Sequence, residues 1–241
     1  ISPVNKYDEN AYLDHARTIL LSDGYWYLGD RNRMPLFNYF LSLFYDLNLS
    51  ELENYYNLKI ANLALTSVLS YLFFLKINKK FKNKFILINL SFFILIIPTF
   101  ALVHQLLVES IFFLGFCLLL IYFEQFYDDP TTQNSIKLGL VGALVYFLKY
   151  TGLTIFFAIS LFTIIFGLIN KRKSYVHKFL IVFLTFFVLV SPYLYENYTN
   201  FNKHIFYNVN SEFYFWADSW EEIVNGVRAN NDRIGWPTME D

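Results

Sequence analysis

Apolar stretches long enough to cross a bilayer fill the middle of this chain, separated by short polar or basic segments. A membrane-spanning helix needs about 20 apolar residues, and residues 138–169 are too many for one helix at about 1.5 Å per residue. We divide that stretch at 149–152, where a lysine and a glycine interrupt it. The pattern predicts an all-α, polytopic bundle of about six spans, over residues 58–77, 85–103, 106–123, the two halves of 138–169, and 179–195.

Residues 1–57 are polar and aromatic and contain no such stretch. Apolar side chains recur at helical spacing within 9–21, and Pro35 opens a second short helix over 36–47. Amphipathic helices and aromatic rings settle at membrane surfaces, so we predict that both helices lie along the outer interface. The predicted organisation is an external loop with an acidic motif (1–57), a helical bundle (58–195) and the start of a further external loop or domain (196–241).

Two connecting segments, 76–84 and 171–178, are basic, whereas 124–137 reads as a polar loop containing Asp128 and Asp129. Cytoplasmic loops carry an excess of Lys and Arg, so the two basic segments are predicted to be cytoplasmic. Counting spans from either one puts residues 1–57 on the opposite face. The charged residues predicted near span ends on that external face are Asp8, Glu9, Arg33, Glu109 and Lys149.

Composition supports a multi-pass integral membrane protein. Hydrophobic residues make up 56% and charged residues 16% of the 241, more apolar surface than one soluble core of this size could hide. The net charge of -1 gives no basic field for nucleic acid. Cys117 is the single cysteine, which excludes an intrachain disulfide or a cysteine metal cluster. The chain begins at Ile1 rather than Met, and we expect a fragment that lacks an upstream helix and much of its C-terminal side.

Asp8 and Glu9 are the candidate catalytic residues. A carboxylate at a membrane surface can take the proton of an acceptor hydroxyl as that hydroxyl attacks a sugar carbon. Adjacent carboxylates on a helix point in different directions, so we expect one to face the site and the other to orient it. The alternative is that both are ordinary acidic residues at a helix start, favoured by the macrodipole.

Three further charged residues are candidates for substrate contacts. Arg33 could hold a lipid phosphate in a bidentate grip, and Lys149 could bind the same phosphate; alternatively both could snorkel to the interface. An ionised Glu109 in an apolar run costs about 2.5–3.5 kcal/mol at a helix centre, so an acid there needs a partner or water. Secondary candidates are Arg31 and Lys59 for phosphate and His104, more typical of an interfacial hydrogen bond than of a metal ligand.

The order of these motifs resembles that of a known family. The matching positions are Tyr7-Asp8-Glu9, Tyr12, Ala16, Gly24, Arg33-Met34-Pro35-Leu36, Lys59, Pro98, Glu109, Gly142, Lys149-Tyr150-Thr151-Gly152 and Ser191-Pro192-Tyr193. Together they resemble membrane glycosyltransferases of the GT-C type, in the branch of the dolichyl-phosphate-mannose protein mannosyltransferases and aminoarabinose transferases. After the last span that family often has Trp and Arg following the Pro, where this chain has Tyr193 and Glu196.

The resemblance implies an inverting transfer of a sugar from a polyprenyl-phosphate donor to a protein, lipid or glycan acceptor at the non-cytoplasmic face. It implies Asp8 as general base with Glu9 in support, Arg33 at the donor phosphate and Glu109 as second-loop acid. No cofactor is predicted, and a divalent metal is left open. The expected location is a bacterial or archaeal cell membrane, or the endoplasmic reticulum in a eukaryote, with membrane lipids as partners.

Two other functions stay open from the sequence. A transporter or flippase for a lipid-linked saccharide would place charges near the bilayer midplane and carry inverted repeats, whereas here the charges lie at span ends and no repeat is visible. A non-catalytic helical scaffold is the other alternative.

Overall fold

The computed structural model describes residues 7–22, 34–80, 106–169, 173–200 and 205. All regular structure in these ranges is α-helical, so the predicted all-α class is confirmed for this part of the chain. The helices are α1 (Tyr7–Leu21), α2 (Pro35–Ser42), α3 (Glu51–Lys80), α4 (Glu109–Asp128), α5 (Thr132–Leu148), α6 (Thr151–Ile169) and α7 (Lys173–Asn200).

Four of these helices are long and apolar enough to cross a membrane: α3, α4, α6 and α7. With 17 residues, α5 lies at the lower limit of about 17–25 residues for a span. The remaining predicted span, residues 85–103, lies outside the described residues. The described helices are therefore compatible with a multi-pass membrane protein.

The break predicted at 149–152 is confirmed. α5 ends at Leu148, Lys149 takes an extended conformation with φ -154° and ψ 137°, and α6 begins at Thr151. Gly152 lies so close to the end of α5 that a Cβ there would come 2.7 Å from the carbonyl oxygen of Val145. Because only glycine fits this approach, the chain turns between the two helices within two residues.

Several helices extend beyond the limits predicted for the spans. α3 begins at Glu51 rather than at residue 58, because Ser50 and Glu53 cap it reciprocally: the backbone N–H of Ser50 donates to Glu53 Oε2 at 2.9 Å, and that of Glu53 donates to Ser50 Oγ at 3.3 Å. The predicted loop 124–137 shrinks to residues 129–131, because α4 continues to Asp128 and Thr131 caps α5 by accepting from the Asn134 N–H.

Four other helix ends also differ from the sequence prediction. α2 begins with Pro35 at its first position, as expected, but ends at Ser42 rather than residue 47. α4 begins at Glu109 instead of 106. α7 extends beyond the predicted range 179–195 at both ends and contains Pro192 within its length.

The described chain divides into two compact units: one holds α1 to α6 with α7 up to Leu189, and the other begins at Val190. In the first unit, α1 and α2 share a buried apolar cluster with the start of α3 and the residues around the start of α4. Tyr12 of α1 meets Phe37 of α2 edge-to-face at 5.0 Å between ring centroids. The apolar face predicted for α1 is thus covered by protein; its position relative to a membrane stays a prediction.

Contacts between helix ends define two ends of this bundle. At one, Lys76 of α3 lies 4.2 Å from the Tyr122 ring centroid of α4, and Lys178 of α7 donates to Thr132 Oγ1 of α5 at 2.8 Å. We call this the basic end. About 30 Å away along α3, from the helical rise, lie Tyr55 and the start of α4, which we call the carboxylate end. This grouping agrees with the span count; which end is cytoplasmic stays a prediction.

Candidate functional site

Glu9 lies buried at the carboxylate end, where it joins three segments of the chain. Only 2% of Glu9 is exposed to solvent. Its Oε1 atom accepts a hydrogen bond from the Tyr55 hydroxyl of α3 at 3.1 Å and another from the backbone N–H of Leu106, just before α4, at 2.8 Å. These donors are 46 and 97 positions away in sequence. A single carboxyl oxygen therefore ties α1 to α3 and to the segment that precedes α4.

Tyr55 extends this contact to a second charged residue. Its ring is 3% exposed, and the Lys59 Nζ lies 5.1 Å from the ring centroid. A cation over an aromatic face is attracted by the ring quadrupole, by about 0.5–1 kcal/mol where the cation is exposed. Lys59, a secondary candidate for phosphate binding, thus lies one turn along α3 from the residue that contacts Glu9.

Glu109 and Lys149 form an ion pair at the same end. Lys149 Nζ lies 3.1 Å from Glu109 Oε1, with 40% of the lysine side chain and 35% of the glutamate side chain exposed. Glu109 is the first residue of α4, where the positive end of the helix dipole favours an acid. Lys149 occupies the break between α5 and α6 and lies 5.9 Å from the Phe112 ring centroid. The pair remains accessible to a ligand, and pairs this exposed are held by at most about 1 kcal/mol.

Two further polar groups belong to this pair or follow it in the chain. The second carboxyl oxygen of Glu109, Oε2, is buried and makes no hydrogen bond to a described residue. Tyr150 follows Lys149 in the break, and burial raises the pKa of its phenol above the ordinary value. At neutral pH that phenol therefore keeps its proton and stays uncharged.

A cavity of about 300 Å³, lined only by apolar side chains and one glycine, lies between α2, α3, α4 and α5. Phe37 and Phe40 of α2 form one wall. Of the lining residues, Ile111 lies in the first turn of α4, and Leu148 lies directly before Lys149. The cavity thus reaches the level of the Glu109–Lys149 pair. Together the pair and the cavity offer charged contacts and an apolar volume at one end of the bundle.

The structure brings together only part of the set of residues singled out in the sequence. Glu109 and Lys149, 40 positions apart, are in direct contact. Asp8 belongs to α1 directly before Glu9, but its side chain lies outside the described residues, as do Arg31, Arg33 and His104. The catalytic and phosphate-binding roles assigned to all of these residues stay predictions.

The sequence reading missed Tyr55, Phe112 and the Leu106 amide. Tyr55 was detectable: it follows the S-x-x-E capping signature of residues 50–53, which marks the true start of α3. A backbone amide such as that of Leu106 leaves no signal in sequence. Among the described residues, no three His, Cys, Asp or Glu side chains lie close enough together to hold a metal ion.

Comparison with models of protein families, with curated proteins and with solved structures finds no match to this chain.

Proposed function

We propose that the chain is part of a membrane glycosyltransferase of the GT-C type. In this proposal it moves a sugar from a polyprenyl-phosphate donor to a protein, lipid or glycan acceptor at the non-cytoplasmic face, with inversion at the anomeric carbon. The observation that carries the proposal is the accessible Glu109–Lys149 pair at the level of an apolar cavity. A donor with an anionic head and a hydrocarbon tail matches both features.

The donor's two chemical parts would use different contacts. Lys149 supplies a cation for the phosphate, and charge-assisted hydrogen bonds are about twice as strong as neutral ones. Arg33 is the second predicted phosphate contact. The first isoprene units, which carry no polar atoms, would enter the cavity beside Phe37 and Phe40. In the absence of donor, Glu109 accepts a hydrogen bond from the Lys149 ammonium, so that this cation is not left unpaired.

The proposed reaction needs one base and one stabilised leaving group. Asp8 takes the proton of the acceptor hydroxyl while that oxygen attacks the anomeric carbon. The bond from the anomeric carbon to the phosphate oxygen breaks, and the polyprenyl phosphate leaves with the electron pair. A phosphate is already a good leaving group, so cations at Lys149 and Arg33 offset its charge and no general acid is required.

Binding tests the phosphate assignment. The protein in lipid nanodiscs is titrated with a polyprenyl phosphate and with the polyprenol of the same length, which lacks the phosphate. Lys149→Ala should weaken binding of the polyprenyl phosphate by about 10-fold or more, the range for losing a hydrogen bond to a charged group. Binding of the polyprenol should not change. Lys137→Ala is the matched control, because Lys137 lies towards the other end of α5, the helix that Lys149 directly follows.

Turnover separates the enzyme from the transporter. With a radiolabelled polyprenyl-phosphate sugar in proteoliposomes, the enzyme releases polyprenyl phosphate and labels an acceptor. Movement of intact donor between leaflets without cleavage would support a transporter instead. Equal binding of phosphate and alcohol by the parent protein would contradict the assignment of Lys149 and with it the observation on which the proposal rests.

A further inference from the structure

Glu9 joins three separate segments of the chain at the carboxylate end, and the predicted base is its neighbour in sequence. We propose that Glu9 is a positioning residue: through Tyr55 and Leu106 it fixes the separation between Asp8 and the Glu109–Lys149 pair. This proposal rests on the proposed function, because the two places it holds in register are the proposed base and the proposed phosphate contact.

The geometry argues against Glu9 as the base itself. A general base must come within hydrogen-bond reach of the proton it takes, directly or through one water. Glu9 is 2% exposed, and its Oε1 already accepts from two buried donors. Protonation of Oε1 would compete with contacts that join three segments of the chain. The buried carboxyl oxygen therefore serves as an acceptor for structure rather than for chemistry.

The same contacts link the two halves of the proposed site. Asp8 and Glu9 are consecutive in α1, so the backbone carries any displacement of Glu9 directly to Asp8. Leu106 lies three residues before Glu109, the acid that pairs with Lys149. The path from the proposed base to the proposed phosphate contact therefore passes through two hydrogen bonds, the one from the Leu106 N–H to Glu9 Oε1 at 2.8 Å and the one from Lys149 Nζ to Glu109 Oε1 at 3.1 Å.

Tyr55 provides the third point of this arrangement. Its hydroxyl fixes the same Oε1 from the side of α3, and its ring is buried in the apolar cluster that α1 and α2 share with α3. Two donors from different directions restrict the position of an oxygen more than one donor does. The position of a reacting group must be restricted in this way, since a displacement of about 1 Å can lower the rate by about 10²-fold.

Two substitutions separate positioning from proton transfer. Glu9→Gln keeps a side-chain oxygen that can accept from both donors, but an amide cannot act as a base at neutral pH. We expect Glu9→Gln to retain most of the parent's kcat and its pH profile. Glu9→Ala should lower kcat by about 10²-fold and leave the KM for the donor near the parent value. Asp14→Asn, an exposed acid on the same helix, is the control and should change neither.

A measurement independent of activity follows the hydrogen bond itself. Hydrogen exchange of peptides containing Leu106 should be slow in the parent and in Glu9→Gln, and faster in Glu9→Ala. Tyr55→Phe removes one of the two donors, so it should give an intermediate loss of kcat and leave Leu106 protected. This variant also provides the test if Glu9→Ala does not fold.

Each outcome decides between the possibilities. Glu9→Gln as inactive as Glu9→Ala, with Leu106 still protected, would make Glu9 a chemical participant and overturn the positioning role. Normal kcat in Glu9→Ala would also overturn it. If the parent shows no transfer while Leu106 protection follows the expected order, the hydrogen bond stands as a structural link and it is the glycosyltransferase proposal that fails.

Discussion

The two ends of the helical bundle treat their charged groups differently. At the basic end, Lys76 lies over a tyrosine ring and Lys178 donates to a threonine hydroxyl, so both cations meet neutral partners. At the carboxylate end, Lys149 forms an ion pair with Glu109, and the carboxyl group of Glu9 is buried and accepts two hydrogen bonds. At the carboxylate end charge thus meets charge, in the Glu109–Lys149 pair.

The packing around Tyr175 shows how the basic end differs from the carboxylate end. At the basic end, the Tyr175 ring contacts the rings of Phe126, Tyr127 and Phe166, with centroids 6.0–6.2 Å apart. Its hydroxyl donates to the Tyr127 carbonyl at 2.5 Å. Aromatic packing of this kind holds helices together and offers few polar contacts to a ligand. The basic end therefore has the character of a structural anchor, and the carboxylate end that of a binding site.

The most complete contrast between the ends should be in accessibility across the membrane. With Cys117 replaced by Ala, a cysteine at exposed Asn48, before α3, should react with an impermeant thiol reagent on intact cells. One at exposed Asn78, near the C-terminal end of α3, should react only after permeabilisation, because α3 is long enough to separate them. Labelling of both in intact cells, or of Asn78 alone, would remove the proposed external location of the carboxylate end.

The next largest effect should come from the predicted base. Asp8→Asn in the full chain should lower turnover by about 10²–10⁴-fold, the usual contribution of general acid–base catalysis, because the amide cannot accept the proton. Donor binding should change little. Transfer of radiolabelled sugar in membranes, with protein amounts matched, measures this. Near-normal turnover in Asp8→Asn would show that the base lies elsewhere.

Arg33 provides the contrast to Asp8 within the same assay. Arg33→Ala should weaken donor binding, because it removes a phosphate contact present before and during transfer, and Arg33→Lys should restore only part of it, since a point charge lacks the planar fork. Loss of turnover without loss of donor binding in Arg33→Ala would contradict the phosphate assignment.

The smallest effect is expected at the basic end. Tyr175→Phe keeps the ring among its aromatic neighbours and removes the hydrogen bond to the Tyr127 carbonyl. The free energy of unfolding should fall by about 1 kcal/mol, measured by denaturation in detergent, with donor affinity unchanged. Tyr122→Phe is the control, since the ring facing Lys76 remains. If Tyr175→Phe changed donor affinity as much as Lys149→Ala does, the functional distinction between the two ends would be wrong.

The sequence predicted the fold best where the apolar pattern is interrupted by residues with a clear local preference. The break after Leu148 follows from a lysine and a glycine inside an apolar run, and it lies where expected. The loop at 124–137 was overestimated because polarity was taken as absence of helix. Phe126, fully buried in α4, continues the inward face of that helix past the polar residues Glu124 and Gln125.

Prediction of the site was limited by the nature of its contacts. Glu109 could be expected to have a partner from the cost of a charge in an apolar run, but its pairing with a residue 40 positions away depends on how α4 packs against α5. The burial of Glu9 was not expected, because its second partner is a backbone amide from another segment. Local patterns identify charged candidates, whereas the packing of distant helices selects their partners.

Where α5 serves as one of the predicted spans, its shortness has a consequence for the bilayer itself. Its 17 residues span about 26 Å at 1.5 Å each, less than the hydrocarbon thickness of about 30 Å. Lipids next to a short hydrophobic segment adapt by local thinning of the membrane. Because Lys149 directly follows α5, this hydrophobic mismatch would draw the surrounding headgroups towards it. A phosphate carried on a lipid would then meet the lysine with little displacement from its resting depth.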